Sequence, residues 1–111
     1  MDERLEALER GIHAGEEDVE RAKRAREILS DPMVEEAFAS IESTWTEAWK
    51  SSRLDDVAGR ERAYAALRAS LDFREHFRVI LERGEASQTL LKEMHREREG
   101  LLRRVARVVG L

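Results

Sequence analysis

The chain has 111 residues, of which 40% are charged and 41% hydrophobic, and a formal net charge of -4. That length fits one domain with a modest core, and the absence of cysteine excludes disulfide frameworks, thiolate zinc sites and cysteine nucleophiles. The acidic balance disfavours general nucleic-acid binding, and no charge-free run approaches the length of a membrane span.

A single proline and heavy use of Glu, Arg, Ala and Leu speak for long helices and short connections. The acidic start, Asp2-Glu3-Arg4, is unlike a signal peptide, and the cysteine-free composition is compatible with the cytosol. Charge is segregated along the chain. Residues 1–20 hold eight acids against Arg4 and Arg10, whereas residues 21–29 hold Arg21, Lys23, Arg24 and Arg26 against Glu27. Acid returns over 30–56, and the last twenty residues are basic again.

The first predicted helix runs from Asp2 to Leu29. Leu5, Leu8, Ile12, Val19 and Ala22 form a thin heptad-like stripe in which Gly15 occupies the missing position. Gly11 and Gly15 each cost about 1 kcal/mol against alanine inside a helix, which predicts a break or fray between them. Ser30-Asp31-Pro32 is the clearest punctuation: Asp31 suits an N-cap and Pro32 the first helical position. A second helix then reaches about Ser51, with Val34, Phe38, Ile41, Trp45 and Trp49 on one continuous face.

Residues 52–56 make a short loop in which Asp55 or Asp56 caps a third helix. That helix is predicted to run to Arg83 and to stop at Gly84 in a left-handed C-terminal cap. Its apolar residues form two rows: Tyr64, Leu67 and Leu71, then Phe73, Phe77 and Ile80. So broad a face suits contact with two neighbours. A fourth helix is expected from about Ser87 to Val109, with Leu91, Met94, Leu101, Val105 and Val108 at heptad-like spacing and Gly100 weakening it midway.

The expected fold is therefore all-α: a long antiparallel helical hairpin over about 32–83, flanked by N- and C-terminal helices and oligomeric. Its divisions are a charged N-terminal helix (1–30), the hairpin (31–84) and a basic amphipathic helix (85–111). The six aromatics, Phe38, Trp45, Trp49, Tyr64, Phe73 and Phe77, all fall in the hairpin. They bury the most area per residue, which makes them the expected core and oligomer interface. Two helices cannot bury both faces of that hairpin, so it needs the outer helices or other copies of itself.

Catalytic chemistry is not expected. His13, His76 and His95 are scattered, no E-x-x-H occurs, and there is no phosphate-cradling glycine loop or G-x-S-x-G. No cofactor is expected, and His76 beside Asp72 and Glu75 reads as a surface or edge histidine in preference to a partial metal ligand. Arg21, Lys23, Arg24 and Arg26 form a solvated face or a contact for a phosphate backbone. Leu101, Arg103, Arg104, Val105, Arg107 and Val108 make a basic amphipathic helix that packs within the chain or docks on a partner. The central helices are too long, and their apolar faces too complete, for a helix-turn-helix reader.

The segment from Arg24 to Gly84 carries A-R-E-I-L-S-D-P-M-V-E-E-A-F, then T-W-T-E-A-W-K-S-S, D-D-V-A-G-R-E-R-A-Y-A-A-L and F-R-E-H-F-R-V-I-L-E-R-G. It resembles small helical proteins of tailed bacteriophages and gene-transfer particles, from the DNA-packaging and head module, and is most similar to a small terminase subunit. The matching positions are Phe38, Trp49, Arg60, Glu61, Tyr64, Phe73, Arg74, His76 and Gly84. The resemblance implies a non-catalytic viral protein in the cytoplasm of a bacterial host. Its copies form a ring through the hairpin, and its C-terminal helix engages the large terminase subunit, an ATPase and nuclease. DNA contact through Arg21–Arg26 is then weak and salt-sensitive, because the chain lacks the separate N-terminal DNA-reading domain usual in that family. The competing class is a helical adaptor, head-assembly accessory or inhibitor acting as a monomer or dimer.

Overall fold

The computed structural model describes residues 2–110, so the expected outer limits at 1 and 111 lie outside the described residues. The described residues form three helices, α1 (Asp2–Ser30), α2 (Pro32–Lys50) and α3 (Val57–Val108), and no strand. The chain is all-helical, as its composition implies. It divides into two compact units. One takes the chain up to Arg24 together with Ile80 onward, and the other is Ala25–Val79.

In the first unit α1 and the latter part of α3 run antiparallel. Arg4 meets Glu97, Gly11 meets Met94, Gly15 meets Leu91, Asp18 meets Ser87 and Ala22 meets Gly84. From Gly11 onward one series climbs by threes and fours while the other descends by threes and fours, the spacing of a coiled-coil seam. The seam is built from small residues facing larger ones. A Cβ added at Gly11 would lie 2.9 Å from the Met94 sulfur, and one at Gly15 would lie 3.0 Å from a Leu91 methyl. Leu8, Ile12, Ala22 and Leu101 are buried in this unit. Ser87 Oγ donates to Asp18 Oδ2 at 2.8 Å, so the half-buried Asp18 carboxylate has a partner.

Three sequence expectations are corrected here. α1 is unbroken through Gly11 and Gly15, because the space their missing side chains leave is filled by Met94 and Leu91. Gly84 is not a C-terminal cap: it lies inside α3, where its missing Cβ lets the helix meet Ala22 and the Asp18 backbone. Consequently no separate fourth helix starts at Ser87, and the expected boundary between 84 and 85 runs through a continuous 52-residue helix.

In the second unit α2 begins where expected. Asp31 is the N-cap, its side chain accepting from the Met33 amide at 2.8 Å, and Pro32 fills the first turn. After α2, Ser51 and Ser52 return their hydroxyls to the carbonyls of Glu47 and Trp49 at 2.8 and 2.6 Å. Asp56 then caps α3, its carboxylate accepting from the Gly59 amide at 3.0 Å. Of the two aspartates expected there, Asp56 is the cap, whereas Asp55 pairs with Arg53.

Candidate self-association surface

The contacts of α2 with α3 in the Ala25–Val79 unit are few and specific. Phe38 is packed against Phe73 with ring centroids 5.7 Å apart, and Phe73 meets Phe77 edge-on at 5.4 Å. Arg74 lies over the Phe38 ring at 4.3 Å while its Nε donates to Glu42 at 2.5 Å. At the turn, the Arg60 guanidinium sits 4.7 Å from the Trp49 ring and donates to Ser52 Oγ at 2.9 Å. Two cations thus cover aromatic faces on α2, contacts worth about 0.5–1 kcal/mol each where exposed.

Of the six aromatics expected as core or oligomer interface, Phe38 is buried, with 7% of its surface exposed. Trp45 and Phe77 are half-buried. Trp49, Tyr64 and Phe73 remain 44%, 63% and 57% exposed. Within one chain these residues do not close a core: Phe73 meets Phe38 but stays mostly exposed, as do Tyr64 and Trp49.

Two open apolar surfaces result. The first is a groove of 620 Å³ between the start of α2 and α3, lined by Met33, Val34, Ala37, Ile41, Ala66, Ala69, Ser70 and Phe73 among others. Ser70 is buried in it, and its Oγ has no hydrogen-bond partner among the described residues. The second is a ridge on α3, Val57, Tyr64 and Leu71, each exposed and each seven residues from the next. Val57 and the small groove residues were missed as interface residues in the sequence. Heptad spacing with Tyr64 is the signal that marks Val57, whereas nothing local marks Ala66 or Ala69.

The basic residues fall differently from their order in the sequence. Arg21, Lys23, Arg24 and Arg26 are all exposed, but Ala22 and Ala25 between them are buried. At 100° per residue, Arg21 and Arg24 lie on one side of that buried line and Lys23 and Arg26 on the other. The run is therefore two pairs, not one patch. At the end of α3, Leu101 is buried, Val105 is half-buried and Val108 is 81% exposed, while Arg103, Arg104 and Arg107 all face solvent. Leu101 packs within the chain, whereas Val108 is left exposed.

Among the described residues, no three His, Cys, Asp or Glu side chains cluster to hold a metal ion. His13 pairs with Glu17 at 3.0 Å, His76 stands edge-on to Phe77, and His95 Nδ1 accepts from the Arg98 guanidinium at 3.1 Å. Hydrogen bonding from Arg78 holds the Glu75 carboxyl below the usual carboxylate range, burial opposes that shift, and the Arg78 charge reinforces it. No described helix is long and apolar enough to cross a membrane. No protein-family model matches this chain, and neither a curated protein nor a solved structure matches it.

Proposed function

We propose that the chain is a non-catalytic viral DNA-packaging subunit, similar to a small terminase subunit, acting in the cytoplasm of a bacterial host. Its copies assemble into a ring through α2 and the facing part of α3, the antiparallel hairpin arm of the assembly. The basic end of α3, with Arg103, Arg104 and Arg107, engages a large ATPase/nuclease subunit. DNA contact is weak and non-specific, in keeping with a net charge of -4 and with basic residues split across α1.

One observation carries this reading. The Ala25–Val79 unit leaves Met33, Ile41, Trp49, Tyr64, Leu71 and Phe73 exposed within a single chain. Exposed apolar patches of this kind mark interaction surfaces, and burying apolar area contributes about 25 cal/mol per Å². A scaffold whose aromatics stay half open alone is suited to work as an assembly.

The test is solution mass by light scattering after size exclusion, at low and high salt. A closed assembly of defined copy number is the expected outcome, followed by co-elution with the large terminase subunit of a tailed phage and stimulation of its ATP hydrolysis. A monomer or two-fold dimer at high concentration sinks the ring and promotes the adaptor or inhibitor reading.

A further inference from the structure

We infer that Met94 is an oxidation site that controls the α1–α3 seam: a peroxide that converts its thioether to the sulfoxide opens α1 at Gly11. The inference concerns the first unit alone and is independent of the packaging reading.

Gly11 and Met94 meet through the sulfur. A Cβ placed on Gly11 would lie 2.9 Å from Met94 Sδ and 4.0 Å from its terminal methyl. The sulfur is therefore the side-chain atom that closes over the glycine. Leu8 and Ile12, on either side of Gly11 in α1, are buried in the same unit. At Gly15 the same position is filled by Leu91, a hydrocarbon side chain with no oxidisable atom. Met94 is half-buried, which leaves a small oxidant a way in. Among the described residues the other methionine is Met33, in the second unit and 76% exposed, and it supplies an internal control.

The step balances with hydrogen peroxide as oxidant. The sulfur gives a lone pair to one peroxide oxygen, the S–O bond forms as the O–O bond breaks, and the second oxygen leaves as water with both protons. Sulfur is oxidised by two electrons and the peroxide is reduced by two. The product side chain is polar and chiral where the thioether was apolar.

The seam has no place for that oxygen. The space towards Gly11 is already filled by the sulfur. The donors on neighbouring turns are engaged, Arg4 with Glu97, Arg98 with His95 and Ser87 with Asp18. A polar atom kept in an apolar contact without a hydrogen bond is costly, so the oxidised side chain turns out to solvent and uncovers Gly11. Glycine is a poor helix residue, and packing on a neighbour supplies most of a helix's stability. Oxidation thus removes the support of α1 at its intrinsically weakest stretch, Gly11 to Gly15.

The experiment treats the full chain with hydrogen peroxide, reads each methionine by peptide mass spectrometry, and follows amide hydrogen exchange and thermal unfolding. Met33 should oxidise first without effect on the seam. As Met94 sulfoxide accumulates, exchange should quicken over residues 5–18 and 88–100, and the melting temperature should fall by about 4 °C or more. Methionine sulfoxide reductases acting on both epimers should restore both readouts. Met94→Leu, which keeps the volume and removes the sulfur, should hold its melting temperature through the same treatment, whereas Met33→Leu should remain sensitive. Met94→Gln should reproduce the faster exchange with no oxidant, a readout that stands even if the leucine variant folds poorly. Complete Met94 oxidation with unchanged exchange, a Met94 that stays reduced while Met33 is fully converted, or exchange rising equally over Ala25–Val79 would each overturn the inference.

Discussion

A methyl group added at Gly84 would run into the Ala22 side chain and come within 3.2 Å of the Asp18 carbonyl oxygen. Alanine is worth about 1 kcal/mol more than glycine in a helix, but overpacking a close contact costs about 1–3 kcal/mol. Backbone on the far side cannot give way cheaply, so Gly84→Ala should lower the urea midpoint. At Gly100, in the same helix, an added Cβ meets nothing within 4 Å. Gly100→Ala should therefore stabilise by about 0.4–1 kcal/mol. Equal shifts of one sign for the two variants would mean that propensity, not packing, governs both sites. Phe38 and Trp49 make a similar contrast. Phe38→Ala removes a buried ring and should cost about 3–5 kcal/mol. With Trp49 at 44% exposed, Trp49→Ala should cost clearly less in the dissociated chain. Arg78 holds the Glu75 carboxyl below its ordinary value. Its small contribution to stability is present above the unfolded carboxylate pKa and lost as pH falls through the lowered one. Replacing Arg78 by Ala should raise the Glu75 midpoint in an NMR titration.

At the scale of elements, α2 was legible because its limits are set locally. Asp31 caps and Pro32 starts the helix whatever surrounds them, and Asp31→Ala should cost about 0.5–2 kcal/mol in thermal unfolding. The limits of α3 were legible at its start, where Asp56 caps, and not at its end. Gly84 between Arg83 and Glu85 has the local look of a C-terminal cap, but its role is set by Ala22, a residue far away in sequence. Gly11 and Gly15 misled in the same way, because a glycine that breaks a solitary helix also allows two helices to approach. Carbon chemical shifts from residue 80 to 90 should stay helical throughout. A positive φ at Gly84 would restore the capped hairpin. The exposure of Trp49, Tyr64 and Phe73 was not legible, since the pattern gives a row's spacing but not whether a neighbouring helix covers it.

For the whole molecule, the basic end of α3 separates folding from partnership most cleanly. Arg103, Arg104 and Arg107 are exposed on the turns after the buried Leu101. Replacing all three by alanine takes the formal charge from -4 to -7 and removes no buried side chain. Alanine is also a better helix former than arginine. The triple variant should keep the wild-type melting temperature and the wild-type particle mass, because the ridge and groove lie elsewhere. It should lose co-elution with a large terminase subunit. DNA retention distinguishes a protein partner from a nucleic acid at this site. Each phosphate that the variant no longer neutralises should reduce the log–log salt slope of DNA binding by about 0.9. An unchanged slope together with failed co-elution assigns the tail to a protein. A flattened slope with intact co-elution would place the arginines on DNA and move the ATPase contact to another surface. Global unfolding of the variant would contradict the exposure of all three side chains.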